Sequence, residues 1–132
     1  MTDLDKKLHE ALIRLGCDRD SLNFDARSDI KLDFTDIGSV YIVPEAHGGA
    51  WIWALVPDVE VSDLGSRALT FLEHLLAPTV FMASGAMSAR PCDHGIQVGG
   101  LIGAEVVEDS ESLGNALVHF HDRMSHLLES LK

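Results

Sequence analysis

The sequence predicts an α+β domain in the order α-β-β-β-α-β-β-α, with a twisted antiparallel sheet flanked by helices. Two observations lead to this prediction. Residues 40–57 are two strand-like runs around a Gly-Gly turn, and apolar residues recur at helical spacing near both ends of the chain. With 132 residues, 46% of them hydrophobic and 23% charged, the chain is long and apolar enough to form a single domain over residues 1–132.

The strand pair in residues 40–57 is apolar on both of its faces. Before the turn, Val40 and Ile42 point to one side of their strand and Tyr41 and Val43 to the other. After the turn, the alternating sets are Trp51, Trp53, Leu55 and Ile52, Ala54, Val56. One core needs only one of these faces, so the surplus apolar surface suggests that another polypeptide covers the second. Tryptophan suits both a core and an interface, and both roles stay open at this point.

Amphipathic helices are predicted at both ends of the chain. The first has an apolar stripe behind Thr2, a candidate N-cap, and ends near Gly16. Its stripe consists of Leu4, Leu8, Ala11, Leu12 and Leu15. The closing helix is introduced by Asp109 and Ser110 as capping residues. Its stripe consists of Leu113, Leu117, Phe120, Met124, Leu127, Leu128 and Leu131.

The middle of the chain supplies the remaining elements. Residues 30–34 alternate apolar and charged side chains, which predicts a half-buried strand, and residues 62–76 predict the second helix. Leu69 and Leu76 widen the apolar stripe of this helix beyond the arc that one sheet covers. Either a second copy of the chain or the later strands would cover the extra width. Apolar runs at 80–82, 87–90 and 96–102 predict two further strands.

Charge and cysteine content narrow the classes of partner. The formal net charge is −11, so nucleic acid and anionic membrane surfaces are improbable partners. A basic or neutral polypeptide fits better, although solubility alone also accounts for an acidic surface. Cys17 and Cys92 have no spacing that indicates a zinc site or a disulfide framework. With neither a signal peptide nor a membrane span in the sequence, we expect a cytoplasmic protein.

No motif in the sequence predicts catalysis, a cofactor or a metal. His119 and His121 are two positions apart on the closing helix and point about 200° from one another, so they cannot share one ion. The glycines of residues 98–103 lack the spacing of a phosphate-binding loop and indicate a bend or bulge. A small metal-dependent enzyme using Asp122, His126 and a carboxylate from elsewhere in the chain remains the alternative from a different class.

The whole pattern resembles the class I chaperones of bacterial type III secretion systems, and among them the invasion protein B (SpaK-like, subclass IB) type. The segments that carry the resemblance are IKLDF, GSVYIV, AWIWALVP, ALTFLEHLL and LGNALVHFHDRMSHLLESL. The resemblance implies a homodimer without enzymatic activity. Such a dimer binds the unfolded N-terminal segment of one or more secreted effectors, keeps it soluble and secretion-competent, and passes it to a secretion ATPase. A dimeric adaptor of the same fold that regulates secretion is the alternative.

Two sets of residues are candidates for these contacts. The expected effector-binding residues come from the first helix and the first three strands: Leu4, Leu8, Leu12, Ile30, Leu32, Phe34, Ile42, Trp51 and Trp53. The expected dimer-interface residues come from the second helix and the segment after it: Leu69, Leu72, Leu76, Val80 and Met82.

Overall fold

The computed structural model of the protein describes residues 3–14, 30–57, 59, 62, 64–93 and 95–131. Its strands are β1 (Ile30–Phe34), β2 (Gly38–Pro44), β3 (Ala50–Pro57), β4 (Ser88–Cys92) and β5 (Gly95–Ile102). Its helices are α1 (Asp3–Arg14), α2 (Ala68–Leu76), the single turn α3 (Ala104–Val107) and α4 (Ser110–Ser130). The predicted α+β class and the order of the main elements are therefore confirmed.

The five strands form one antiparallel sheet in the order β1-β2-β3-β5-β4. β3 lies at its centre, and β1 and β4 are its two edges. The turn at Gly48 joins β2 to β3, and the left-handed φ of 96° at this residue requires glycine. The predicted hairpin around the Gly-Gly turn is thus confirmed.

Alternation along each strand divides the sheet into a core face and an outer face. The core face of β3 is buried at Ile52, Ala54 and Val56. These side chains join a cluster with residues of α1 and α4, among them Leu8 and Phe120. Because α1 and α4 both contribute to this cluster, the helices lie on the core face of the sheet.

The second helix begins later than the sequence predicts. A 3-10 turn at Gly65–Arg67 precedes α2, and Gly65 has a left-handed φ of 51° that a regular α-helix cannot include. Residues 80–82, which are strand-like in sequence, form a turn with one isolated bridge between Met82 and Ile102. The short helix α3 was not predicted, because four residues are too few to show a periodicity.

Arg123 of α4 fixes the end of α2. Its guanidinium donates hydrogen bonds to the carbonyl oxygens of His74 (2.6 Å) and Ala77 (3.3 Å) and to the hydroxyl of Thr79 (2.8 Å). The last carbonyl groups of a helix lack partners within the helix and carry partial negative charge. Arg123 supplies a partner for two carbonyl groups at this end and so links α4 to the end of α2.

Candidate functional site: the outer face of the sheet and the exposed strip of α2

The register of the sheet brings both tryptophans to the outer face. Val43 of β2 lies opposite Trp51 of β3, and Leu101 of β5 lies on the other side of Trp51. Tyr41 and Gly99 flank Trp53 in the same way. Directly opposed residues of antiparallel strands share a face, so these side chains form one apolar surface opposite the core.

The two tryptophans differ in exposure although they lie side by side. Their rings stack at 6.1 Å between centroids, with an angle of 12° between the ring planes. Trp51 keeps 38% of its surface accessible, whereas Trp53 keeps 8%. A large aromatic side chain this exposed in a stacked pair is typical of interface residues.

Arg90 of the edge strand β4 covers Trp53. Its guanidinium carbon lies 4.0 Å from the centre of the Trp53 ring, and its Nε donates a hydrogen bond to Oε1 of Gln97 at 2.8 Å. The side chain crosses β5 near Gly99, where no side chain obstructs it. Together, Val43, Trp51, Trp53 and Arg90 line a cavity of about 210 Å³, which we call the tryptophan pocket.

Two neighbouring glycines of β5 lie close to other groups, and at Gly99 the backbone of β3 leaves no space for a side chain. A Cβ atom at residue 99 would overlap with the carbonyl oxygen of Ile52, and one at residue 100 would lie 3.0 Å from the sulfur of Met82. Gly99 and Gly100 therefore allow neighbouring groups to lie close to the backbone of β5. They make room for β3 on one side and for Met82 in the core on the other.

A second exposed apolar surface follows α2. It consists of four residues on one side of this helix and in the turn after it: Leu69, Leu72, Leu76 and Val80. Val80 is 99% exposed and Leu69 66% exposed, whereas Phe71 on the opposite side of α2 is buried. We call these four residues the α2 strip. The widened stripe predicted from Leu69 and Leu76 is left uncovered by the described part of the chain.

The structure distributes the expected effector-binding residues over two opposite faces. Leu8, Leu12, Ile30 and Ile42 are buried in the core, and Leu32 and Phe34 pack against it. Trp51 and Trp53 lie on the outer face, and the side chain of Leu4 lies outside the described residues. The set therefore does not form one surface, because Ile42 pairs with Ile52 while Trp51 pairs with Val43.

Four of the five expected dimer-interface residues lie on one exposed surface, and Met82 does not. Leu69, Leu72, Leu76 and Val80 share the exposed strip. Met82 is buried in the core beside Gly100 and Ile102, with 3% of its surface accessible. Met82 and Val80 are both apolar and two positions apart, so a strand would place them on one face. Because residues 80–83 form a turn, Val80 is exposed and Met82 is buried.

The effector-binding residues expected from the sequence did not include Arg90, Val43 or Leu101, which the structure places on the outer surface. The alternation of Ile42 and Val43 contains the signal for Val43, since Val43 shares a face with the tryptophans in any hairpin of this register. No local signal identifies Arg90, because its position over Trp53 depends on the pairing of β4, β5 and β3.

An ion pair links α4 to the β1–β2 turn. Nε2 of His121 on α4 lies 2.8 Å and 3.0 Å from the two carboxylate oxygens of Asp36 in the β1–β2 turn, and Nδ1 lies 3.6 Å from Asp122. The hydrogen bond with Asp36 raises the pKa of His121 above its usual value and lowers the pKa of Asp36. Asp36 also borders a cavity of about 620 Å³ between this turn and the end of α4.

The described residues contain no group of three or more histidine, cysteine, aspartate or glutamate side chains arranged to hold a metal ion. Asp122, one of the residues of the alternative enzyme, lies 3.6 Å from Nδ1 of His121. Within the same described residues, none of the helices has the length and apolar character needed to cross a bilayer.

Comparison with known protein families shows which family the chain belongs to. The invasion protein B family matches residues 16–93, which is more than half of the sequence and includes β1 to β4 and α2. The chain belongs to the invasion protein B family. This family is associated with type III secretion and virulence and is not known for enzymatic activity. A search among curated proteins found no match.

Proposed function

We propose that this member of the invasion protein B family is a cytoplasmic, homodimeric chaperone of type III secretion, without enzymatic activity. It binds the unfolded N-terminal segment of one or more secreted effectors and keeps that segment soluble and competent for export. Transfer of the effector to a secretion ATPase follows. The observation that carries the proposal is the pair of uncovered apolar surfaces, the α2 strip and the outer face around Trp51.

The two surfaces suit two different partners. The α2 strip follows one side of α2 into the turn at Val80, and a second copy of the same strip covers it in a two-fold symmetric contact. The outer face is a row of alternating side chains across several strands, with an apolar cavity of about 210 Å³. An extended chain places every second side chain toward such a face and gains affinity without a strict sequence requirement.

The net charge of −11 supports a polypeptide cargo over nucleic acid or membrane. The edges of the sheet support an extended cargo in particular. β1 and β4 both lack a neighbour on one side in the described chain, and an added strand satisfies the backbone groups at such an edge.

The test is co-expression with secreted proteins encoded next to its gene. We expect the chaperone to keep the N-terminal segment of one such protein soluble and to elute with it from size exclusion. Trp51→Ala should weaken the complex, because it removes most of the exposed aromatic surface of the outer face. Val118→Ala is the matched control, since Val118 is also exposed and apolar but lies on α4.

Two results would overturn the proposal. Full retention of the effector by Trp51→Ala, with an unchanged circular dichroism spectrum, means that the outer face is not the binding surface. Capture of a transcription factor or sigma-type protein in place of a secreted protein indicates the regulatory adaptor instead.

A further inference from the structure

The tryptophan pocket combines an apolar cavity with the cation Arg90, which forms no ion pair with an acid among the described residues. Arg90 uses its Nε for Gln97 and its face for Trp53, and no carboxylate of the described residues forms an ion pair with it. The terminal nitrogens of a guanidinium are fork-shaped donors that match a carboxylate. They remain available beside the exposed ring of Trp51.

The surrounding charge makes this arrangement unusual. The protein has 21 acidic residues against 10 basic ones, yet the charged side chain at the pocket is a cation. On the same face, the cation Lys31 of β1 already lies 3.8 Å from Asp33. Arg90 therefore offers an acidic ligand a local site on a protein that otherwise repels acids.

The dimensions of the pocket define what enters it. A volume of about 210 Å³ matches one large apolar side chain. In an extended segment, side chains two positions apart lie on the same side and about 6.6 Å from one another. An apolar residue seated between Val43 and Trp51 thus places a carboxylate two positions away within reach of Arg90.

We propose that the tryptophan pocket recognises an extended segment with a large apolar residue and an aspartate or glutamate two positions from it. Arg90 is the residue that determines this preference. The inference rests on the proposed function and adds the chemical class of the segment. It commits to a foreign extended chain as the occupant, because charge complementarity favours an acid there.

The first experiment is selection from a random 12-residue peptide library displayed on phage, panned on the wild-type protein and on Arg90→Glu. We expect wild type to enrich an apolar residue paired with Asp or Glu at two positions' distance. Arg90→Glu should enrich Lys or Arg at that position instead. Arg90→Gln, which removes the charge without reversing it, keeps the test valid should Arg90→Glu fold poorly.

The second measurement uses the enriched peptide and its variants with Gln or Lys in place of the acid. Trp51 and Trp53 are the two tryptophans of the chain, so tryptophan emission reports on this pocket alone. We expect the Gln variant to bind about three- to tenfold more weakly to wild type, as for a partly exposed charge-assisted pair. Lys31→Gln is the matched control, because it removes one cation from the same face away from the pocket, and it should keep the preference.

The outcomes separate the two proposals. Enrichment of apolar residues without an acid, or equal binding of the Glu and Gln peptides, overturns the acid preference and leaves the chaperone function standing. Absence of any enriched extended peptide, with unchanged tryptophan emission, overturns both. Quenching that depends on protein concentration without peptide identifies a second copy as the occupant and overturns the inference.

Discussion

His121 of the closing helix and Asp36 of the β1–β2 turn form a contact between positions 85 residues apart in sequence. Nε2 of His121 lies within 3.0 Å of both carboxylate oxygens of Asp36, so the closing helix is tied to the β1–β2 turn. The His121 ring also lies 5.4 Å from the ring of Phe34 at the end of β1. This contact makes the stability of the fold depend on pH.

The sign of that dependence follows from the two pKa shifts. The pKa of His121 is raised from 6.5, so its contribution is complete below pH 6.5 and is lost as the pH rises through the raised value. The pKa of Asp36 is lowered from 3.8, so its contribution is complete above pH 3.8 and is lost as the pH falls through the lowered value. The pair therefore stabilises the fold most between pH 3.8 and 6.5.

We expect His121→Gln to lower the melting temperature at pH 6 and to lower it less as the pH is raised to 9, because the imidazole loses its proton as the pH rises through the raised pKa. Thermal unfolding of both proteins at the two pH values, at one protein concentration, measures this. His119→Gln is the control, because His119 lies on the exposed side of the same helix. An equal loss at both pH values would show that His121 acts through packing on Phe34 and not through its charge.

Two glycines respond in opposite directions to the same substitution. Gly99→Ala places a Cβ on the carbonyl oxygen of Ile52 and forces β3 and β5 apart. We expect a loss at the upper end of the roughly 1–3 kcal/mol that overpacking costs, or failure to fold. Gly114→Ala on α4 meets Ala11 at an ordinary 3.6 Å and should raise stability by about 0.5–1 kcal/mol.

Urea unfolding at fixed protein concentration measures both substitutions. Each replaces glycine by alanine at a buried position, so the comparison isolates the space around the new Cβ atom. A Gly99→Ala protein as stable as wild type would contradict the close approach of the two strands. A destabilised Gly114→Ala protein would show that α1 and α4 pack more tightly than the 3.6 Å contact indicates.

Most of the fold could be predicted because strand alternation and helical spacing can be recognised within short segments of the sequence. Alternation in β3 separates Ile52 from Trp53, and the helical stripe of Leu113 and Phe120 places α4 on the core. The same patterns did not distinguish core from ligand surface at Ile42, since an apolar residue has the same spacing in either role. Alternation predicts which residues share a face of the sheet. Which of the two faces is buried depends on where the helices pack.

The parts of the site that could not be predicted from the sequence depend on contacts between segments far apart in the chain. Arg90 reaches Trp53 through the pairing of β4 with β5 and of β5 with β3, which no sequence window contains. The position of Met82 in the core likewise depends on the space that Gly100 leaves. In both cases a residue type that is ordinary in sequence acquires its role from a non-local neighbour.

Asp109 begins α4 as the sequence predicts. Its carboxylate accepts hydrogen bonds from the backbone nitrogen of Ser112 at 3.3 Å and from the hydroxyl of Ser112 at 2.7 Å. Asp109→Ala should lower the free energy of unfolding by about 1 kcal/mol, the usual cost of losing an N-cap. Asp109→Asn should cost much less, because asparagine also caps helices. Equal losses in urea unfolding would assign the effect to charge at the helix N-terminus instead.

The α2 strip supplies the last prediction, which concerns the oligomeric state. We expect a dimer in size exclusion with light scattering at micromolar concentration, since α2 and the turn after it leave four apolar side chains exposed. Leu69→Asp or Leu76→Asp should give a monomer with an unchanged circular dichroism spectrum, because a dimer would then bury an unpaired carboxylate.

Val118→Asp is the matched control for this prediction, since it introduces the same charge at an exposed apolar residue of α4. It should remain dimeric. A wild-type protein that is monomeric at these concentrations would contradict the proposed dimer directly. Dimers that persist in both Leu69→Asp and Leu76→Asp but not in Val118→Asp would move the interface from α2 to α4.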